Sequence, residues 1–197
     1  MITGHGETVH LCIDMQRLFT EEGPWPTPWM ERVKPNVVRL VEASPEKTIF
    51  TRFIPPERAE FAPGMWRKYY ERWREATRAE LDPKLLDLVP PLGRFAARAM
   101  VIDKFAYSAF ADSGLAARLK ARRADGVIVT GSETDVCVLS TVLDAVDLGL
   151  RVVIVEDAVC SSSDEGHDAL MLLYRKRYSQ QIETMKTDDV LAKWPGA

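Results

Sequence analysis

The sequence predicts a three-layer, doubly wound α/β fold with a mostly parallel sheet of about six strands. Apolar segments of strand length recur along the chain, and they are continuous rather than alternating, which is typical of strands covered on both faces. Between them lie segments whose apolar residues recur at helical spacing. Ligand sites in such folds lie beyond the carboxyl ends of the strands, so polar residues there are the candidates for function.

Strands and helices alternate in chain order. The predicted strands are VHLCIDM (9–15), KTIFTRF (47–53), AMVIDK (99–104), GVIVTG (126–131), RVVIVED (151–157) and the weaker QQIETM (180–185). Helices are predicted over residues 30–43, 135–148 and 164–178, each from an apolar stripe. The second of these stops at Gly149, a residue favoured directly after a helix.

Residues 54–91 interrupt this alternation. Prolines punctuate both ends of the segment, and Trp66, Trp73 and two tyrosines between them recur at helical spacing, so we expect an excursion with a helix in its middle. These aromatic residues, with Trp25 and Trp29, either pack against the core or form a pocket wall or a subunit interface. We expect residues 1–197 to form one domain that contains this excursion.

Charge and hydropathy exclude several classes of protein. The chain has 26 Lys and Arg against 29 Asp and Glu, a formal net charge of −3, without the basic patch that a nucleic-acid partner requires. No apolar run approaches the roughly 20 residues of a membrane span, and the first residues do not resemble a signal peptide. We therefore expect a cytoplasmic protein with no membrane partner.

Three residues at strand ends do not fit simple packing. Asp14 lies in the apolar LCIDM, Lys104 follows VID, and Cys137 lies where a strand turns into a helix. Alone, each has an ordinary explanation as a cap, a surface cation or a small buried hydrophobe. Together at one sheet edge, they suit a thiol nucleophile with a cation and a proton acceptor beside it.

The position of Cys137 predicts a reactive thiol. With Thr134 or Asp135 as the N-cap, Cys137 lies in the first helical turn, where the helix dipole and Lys104 favour the thiolate. We therefore expect iodoacetamide to label Cys137 first. The other two cysteines, Cys12 and Cys160, are expected to be buried and inert, and the three are too widely spaced for a disulfide scaffold or zinc knuckle.

The strings CIDMQ, DKFAYSAF, VTGSETDVCV and VVIVEDAVCSSSDEGHDALMLLY resemble the isochorismatase-like cysteine hydrolases, in order and spacing over nearly the whole chain. The resemblance implies a catalytic triad of Asp14, Lys104 and Cys137. It also implies a cis peptide between Ser132 and Glu133, and an oxyanion hole formed by the backbone N–H groups of Glu133 and Cys137. A small-molecule substrate and a homo-oligomer, either dimer or tetramer, are expected on the same basis.

Departures from relatives refine the expected activity. Nicotinamidases of this superfamily bind a metal through histidines after the second strand, whereas TRFIPPERAEFAPG here has none. The histidines His5, His10 and His167 lack metal-ligand spacing, so we expect no metal and no cofactor. The complete triad favours C–N hydrolysis of a small amide, carbamoyl or ureido compound through a thioester. An ether or ester hydrolase and a noncatalytic binding protein are the alternatives.

Several further residues are candidates for substrate binding. Arg52 binds a substrate carboxylate or carbonyl, or else holds the excursion by a salt bridge. The Glu133 side chain suits an amine-bearing substrate, and Gln16 is expected to orient Asp14 as well as to line the site. The full set of predicted substrate-binding residues is Gln16, Phe19, Arg52, Tyr107 and Phe110, of which Tyr107 and Phe110 are equally well explained as core.

Overall fold

The computed structural model describes residues 6–194, which are built around a six-stranded sheet. The strands are β1 (Glu7–Ile13), β2 (Thr48–Phe53), β3 (Met100–Lys104), β4 (Ala124–Ser132), β5 (Arg151–Cys160) and β6 (Ile182–Met185). Their order is β3-β2-β1-β4-β5-β6, and every neighbouring pair is parallel. The predicted doubly wound α/β fold is therefore confirmed.

The strand sequences are continuously apolar because nearly every residue of the central strands is buried. In β1 every residue after Glu7 is buried, and in β4 every residue from Gly126 to Ser132 is buried. Both strands lie in the middle of the sheet, where helices cover both faces. β1 and β4 lie side by side although they are far apart in sequence, so the order in which strands are added to the sheet changes direction at this point.

Helices cover the two faces of the sheet. They are α1 (Met30–Ala43), α2 (Met65–Arg72), α3 (Pro90–Gly93), α4 (Leu115–Ala121), α5 (Leu139–Asp147), α6 (Asp164–Lys176) and α7 (Thr187–Lys193). One apolar core includes buried residues of α1 and α7 and of the 54–91 excursion, and the other includes buried residues of α4, α5 and α6. In residues 6–194 no helix is long and apolar enough to cross a membrane.

The predicted helices are found, with one difference before α5. The helix predicted over 135–148 is divided into a π-helical turn, Thr134–Val138, and the regular helix α5. Both Val136 N and Val138 N donate to Glu133 O at 3.0 Å, which widens the first turn. Cys137 lies within this wide turn, and π-helical turns of this kind occur frequently at functional sites.

The excursion between β2 and β3 carries the expected helix, α2, in its middle. Its end pairs with the chain that follows β1: Arg17 N donates to Asp87 O at 3.0 Å, and Val89 N donates to Met15 O at 2.9 Å. Gln16 and Leu88 form an antiparallel bridge between these contacts. These backbone contacts thus hold the excursion against the carboxyl end of β1.

Candidate active site

Asp14 is the first residue after β1, and its backbone is held in an unusual conformation. Its φ is +47°, in the left-handed region that most residues avoid. The Thr51 hydroxyl of β2 accepts from Asp14 N at 3.1 Å and donates to Asp14 Oδ1 at 2.6 Å. On the other side, a Cβ on Gly131 would lie 2.0 Å from Ile13 O, so only glycine allows β4 this close to β1.

Lys104, the last residue of β3, forms a fully buried ion pair with Asp14. Its Nζ lies 2.7 Å from Asp14 Oδ2, and both side chains are 0% exposed. Nζ also donates to the carbonyl oxygens of Ala106 and Tyr107, at 3.0 and 2.9 Å. Burial lowers the pKa of Lys104, but Asp14 and Cys137 together outweigh it and the pKa is raised. Lys104 is therefore a permanent cation at neutral pH.

Cys137 lies in the turn that follows β4, close to Asp14 and Lys104. The peptide bond between Ser132 and Glu133 is cis, as the resemblance implies, and the π-helical turn begins directly after it. The N-cap is Glu133, so the expectation of Thr134 or Asp135 is wrong. Both of those side chains have other partners, because Thr134 Oγ1 hydrogen-bonds His167 Nδ1 at 2.9 Å and Asp135 Oδ1 accepts from Ser161 Oγ at 2.5 Å.

The Cys137 thiol is protonated in the resting site. Burial raises its pKa, the hydrogen-bonded Asp14 carboxylate and the nearby Glu133 carboxylate raise it further, and Lys104 only partly offsets them. The expectation that Lys104, the helix dipole and the backbone N–H groups outweigh the Asp14 carboxylate is therefore wrong, since sequence reasoning underestimated the burial of a side chain that is 4% exposed. Burial also raises the pKa of Cys12 and Cys160, in agreement with their expected inertness.

Besides Asp14 and Lys104, four side chains interact electrostatically with the Cys137 thiol, and we call the space around the thiol that they border the thiol cleft: Tyr69, Tyr70, Tyr107 and Glu133. Tyr69 and Tyr70 belong to α2 in the excursion, and Tyr107 follows Lys104. Burial raises the pKa of all three tyrosines, so their hydroxyls are uncharged donors and acceptors. The excursion therefore covers the cysteine with polar-tipped aromatic side chains.

Trp66 contacts all three of these tyrosines. Its ring centroid lies 4.8 Å from that of Tyr107, 5.5 Å from Tyr69 and 6.1 Å from Tyr70. Trp25 continues the cluster, with its ring centroid 6.0 Å from those of Tyr69 and Trp73. The aromatic residues of the excursion thus pack against the core and at the same time wall the thiol cleft.

A cavity of about 670 Å³ adjoins the site. Lys104, Trp66 and Tyr70 form part of its wall, whereas Asp14 and Cys137 do not. Exposed Phe61 and Phe105 contribute to its outer rim. The cavity therefore borders the ion pair from the side of the excursion rather than from the side of the thiol.

Gln16 and Phe19 are placed differently from expectation. Gln16 is completely buried: its Nε2 donates to Phe53 O at 3.2 Å and Leu86 O at 2.9 Å, and its Oε1 accepts from Phe53 N at 2.6 Å. Its amide is occupied by backbone groups, which corrects the expectation that it orients Asp14 or binds substrate. Phe19 is 5% exposed and stacks on Trp25 within the core, so it too belongs to the packing.

Arg52 is paired within the sheet rather than with the excursion. It makes a two-pronged ion pair with Asp103, its neighbour across β2 and β3, at 2.7 and 2.9 Å. This pair takes the place of the expected salt bridge to the excursion, and a contact between Arg52 and substrate stays a prediction. Tyr107 and Phe110 both pack against the core that includes α4 and α5, and Tyr107 also interacts electrostatically with Cys137. A contact of either residue with substrate stays a prediction.

The histidines lie apart from the candidate residues. His10 is buried in the sheet, His167 packs beside Trp29, and His5 lies outside the described residues. Within residues 6–194, His, Cys, Asp and Glu side chains form no group of three or more suited to holding a metal ion. The absence of a metal from the reaction stays a prediction.

Sequence reasoning missed the role of Thr51 and Ser162. Thr51 fixes Asp14, and Ser162 donates its N–H and its hydroxyl to Glu133 Oε2 at 3.1 and 2.5 Å. A threonine inside the buried strand TIFTRF was the available signal for the first. Nothing in the local sequence distinguishes Ser162 from its neighbours in SSSDE, because its partner is distant along the chain.

Three side chains gathered beyond the carboxyl ends of parallel strands are typical of a doubly wound α/β enzyme. The chain belongs to the isochorismatase family, since the isochorismatase domain matches residues 8–186.

Two curated relatives and one solved structure illustrate the similarity. N-carbamoylsarcosine amidase from Arthrobacter sp is 31% identical over 157 residues, which are 75% of this chain and 57% of the amidase. The uncharacterized isochorismatase family protein PncA from Bacillus subtilis (strain 168) is 41% identical over 66 residues, 34% of this chain and 36% of that protein. The matches thus span about half, or less, of each relative's length.

The structural similarity is more extensive than the sequence similarity. A cysteine hydrolase from Pseudomonas syringae pv. phaseolicola 1448A superposes with a TM-score of 0.81, and the match covers 98% of this chain and 97% of that chain. The two sequences are 21% identical over this match. At this level of identity the likeness describes the fold.

Proposed function

We propose that this protein is a metal-independent cysteine hydrolase that cleaves a C–N bond of a small amide, carbamoyl or ureido compound. The observation that carries the proposal is the contact of the buried Cys137 thiol with the Asp14 carboxylate, itself paired with Lys104. A nucleophile in hydrogen-bond contact with a base is the arrangement that covalent catalysis requires. The similarity to N-carbamoylsarcosine amidase supports this type of reaction.

In the first half of the reaction, Cys137 is acylated. Asp14 takes the thiol proton as the sulfur attacks the substrate carbonyl carbon, which gives a tetrahedral oxyanion. The C–N bond then breaks, Asp14 returns the proton to the leaving nitrogen, and ammonia or an amine departs from the thioester. Because the resting thiol is protonated, proton transfer accompanies the attack rather than preceding it.

In the second half, water hydrolyses the thioester. Asp14 takes a proton from water as its oxygen adds to the thioester carbonyl carbon. The C–S bond breaks, the sulfur recovers a proton, and the acid is released. The sum of both halves is one amide and one water converted to one acid and one ammonia or amine, with the enzyme unchanged.

Lys104 and the backbone stabilise the charges that develop. The Lys104 ammonium offsets the charge on Asp14 and on the sulfur, and its contacts with two carbonyl oxygens fix its position. The N–H groups of Glu133 and Cys137 are our candidates for binding the oxyanion, where each such donor contributes on the order of 3 kcal/mol.

Ammonia release from a panel of amides, ureides and carbamoyl compounds tests the proposal. We expect turnover by the native protein, and loss of turnover in Cys137→Ala and Asp14→Asn. During turnover, mass spectrometry of acid-quenched protein should find the acyl group on the peptide that contains Cys137. Turnover by Cys137→Ala at the native rate would exclude the thioester route.

Metal independence has its own test. The histidine-free stretch TRFIPPERAEFAPG motivates the expectation that turnover survives exhaustive chelation with EDTA. Loss of turnover that zinc, iron or manganese restores would contradict it. We further propose that the protein is a cytoplasmic homo-oligomer, a dimer or tetramer, which sedimentation velocity measures directly.

A further inference from the structure

The Glu133 carboxylate lacks a cationic partner. Its Oε2 accepts both hydrogen bonds from Ser162, and no Lys, Arg or His of residues 6–194 forms an ion pair with it. The residue is half-buried, between the buried Cys137 and the exposed Ser162. A partly buried carboxylate is stabilised when a ligand supplies the missing positive charge.

The negative charge of Glu133 acts on the thiol cleft. Burial raises the pKa of Cys137, Tyr69 and Tyr107, and the Glu133 carboxylate raises each of them a little further. Glu133 is also the N-cap of the turn that carries Cys137, four residues before it. A substrate carbonyl at the sulfur therefore brings the rest of a small substrate close to this carboxylate.

The cations near the cleft are occupied or lie outside it. Lys104 is paired with Asp14, and Arg52 is paired with Asp103. Arg72, whose charge acts on Tyr69, is exposed and stacks on the outer aromatic residue Trp73, with its guanidinium carbon 5.8 Å from the ring centroid. A substrate carboxylate would therefore meet Glu133 without a free buried cation to compensate.

The aromatic residues near the thiol also favour a cation. The Trp66 ring contacts both Tyr69 and Tyr107, and aromatic faces attract ammonium groups. Tyr70 is 1% exposed, yet its hydroxyl has no hydrogen-bond partner within residues 6–194. Buried hydroxyls are normally paired, so this oxygen is an unsatisfied polar group where the aromatic cluster meets the cavity.

We propose that Glu133 is a specificity-determining residue that selects substrates with a protonated amine or a quaternary ammonium group close to the scissile carbonyl. This inference rests on the proposed function, which places the carbonyl at Cys137. It distinguishes the preferred substrates from anionic N-carbamoyl amino acids of similar size.

Charged thiol reagents test this inference without knowledge of the natural substrate. The rate of Cys137 modification is measured with cationic 2-aminoethyl methanethiosulfonate and with neutral methyl methanethiosulfonate, and the site is read by peptide mapping. The ratio of the two rates cancels the thiolate fraction, which Glu133 also affects. Relative to a cysteine peptide, we expect the native protein to favour the cationic reagent by about fivefold or more.

The matched variants are Glu133→Gln and Glu183→Gln. Glutamine at 133 keeps an oxygen for Ser162 and removes the charge, so the ratio should fall to that of the peptide. Glu183 is an exposed residue of β6, and its substitution should leave the ratio unchanged. A native ratio no higher than that of the peptide, or a ratio insensitive to Glu133→Gln, would overturn the inference.

A pair of isosteric amides separates this inference from the proposed function. Trimethylammonioacetamide and 3,3-dimethylbutanamide differ only by a charge, and kcat/KM should favour the first in the native protein but not in Glu133→Gln. Equal hydrolysis of both amides overturns the inference alone. If no amide of any charge releases ammonia while the reagent ratio depends on Glu133, the proposed function fails and the selection of cations stands.

Discussion

At the scale of single residues, the proton on the Cys137 thiol governs how the site can work. Burial and two carboxylates raise its pKa, so the sulfur becomes nucleophilic only as Asp14 accepts its proton. This coupling protects a buried thiol from adventitious alkylation and oxidation, which require the free thiolate. It also means that substrate binding and thiol activation occur in the same enclosed space.

The first prediction concerns the reactivity of this thiol towards iodoacetamide. Because its pKa is raised, the rate of Cys137 labelling should rise about tenfold per pH unit from pH 6.5 to 8.5. Asp14→Asn removes one carboxylate and leaves Lys104 in place, so labelling at pH 7 should become faster while amide turnover is lost. A labelling plateau at neutral pH, or slower labelling in Asp14→Asn, would contradict the protonated resting state.

The second prediction concerns the ion pair. Lys104→Met leaves the Asp14 carboxylate buried without its cation, which costs about 3–5 kcal/mol of unfolding free energy. The double variant Lys104→Met, Asp14→Asn removes both charges and should recover most of this loss, although it should remain inactive. Urea unfolding of the native protein and the variants measures this. Equal stability of the single and double variants would show that the pair is not coupled.

The candidate residues could be identified from sequence to different extents. Asp14, Lys104 and Cys137 were recognisable because a charged or nucleophilic residue at the end of an apolar strand has few packing explanations. The direction of the Cys137 pKa shift could not be predicted from sequence, because it depends on burial by the excursion. No local sequence pattern shows where the excursion packs. Gln16 was misjudged for the same reason, since its partners lie near residues 53 and 86.

At the scale of elements, Gln16 connects the end of β1 to β2 and to the excursion. Its side chain satisfies Phe53 N, Phe53 O and Leu86 O, all of which would otherwise need other partners. An unsatisfied buried backbone group costs about 1–3 kcal/mol, so this one amide has a large effect on how firmly the excursion is held. The aromatic cover of the thiol cleft depends on it.

The third prediction is that Gln16→Met loosens the excursion. Methionine has nearly the same shape without the polar groups, so unfolding free energy should fall by about 2–4 kcal/mol. Limited proteolysis should show faster cleavage within residues 54–91. Gln180→Met, at an exposed position, is the matched control and should leave both measurements unchanged. Cleavage at an unchanged rate in Gln16→Met would mean that the backbone contacts alone hold the excursion.

The elements themselves were largely predictable because local pattern and tertiary environment agree. The continuous apolar strands were readable from sequence since both faces of the sheet are covered. The π-helical turn was not, because the same residues fit a regular helix, and the choice between them depends on the approach of Glu133 O to two N–H groups.

At the scale of the whole molecule, His10 links three strands of the sheet. It lies in β1, and its ring nitrogens hydrogen-bond the hydroxyls of Thr48 in β2 and Thr130 in β4, at 3.2 and 2.8 Å. The side chain is completely buried, and burial lowers its pKa to about 3. A histidine at the centre of the sheet therefore makes global stability sensitive to acid, independently of the candidate active site.

The sign of this effect follows from proton binding in the two states. Above pH 6.5 the His10 ring is neutral in both the folded and the unfolded chain, so its contribution to stability is complete. Below pH 6.5 the His10 ring binds a proton in the unfolded chain, whereas in the folded protein it does not bind one until about pH 3. Unfolding free energy should therefore decline by about 1.4 kcal/mol per pH unit through this window from His10 alone.

The last prediction uses His10→Gln to isolate this contribution. Glutamine offers a donor and an acceptor to the two threonines but does not titrate, so between pH 6.5 and 4.5 the variant should lose about 2 kcal/mol less stability than the native protein. Urea unfolding at several pH values measures both slopes. His167→Gln is the control: burial lowers the pKa of His167 too, but the nearby carboxylates of Asp168, Asp135 and Asp164 offset part of that shift, so its removal should change the slope less. If unfolding free energy fell equally with pH in the native protein and in His10→Gln, His10 would bind a proton in the folded protein as readily as in the unfolded chain. The centre of the sheet would then have to relax to accept the charge.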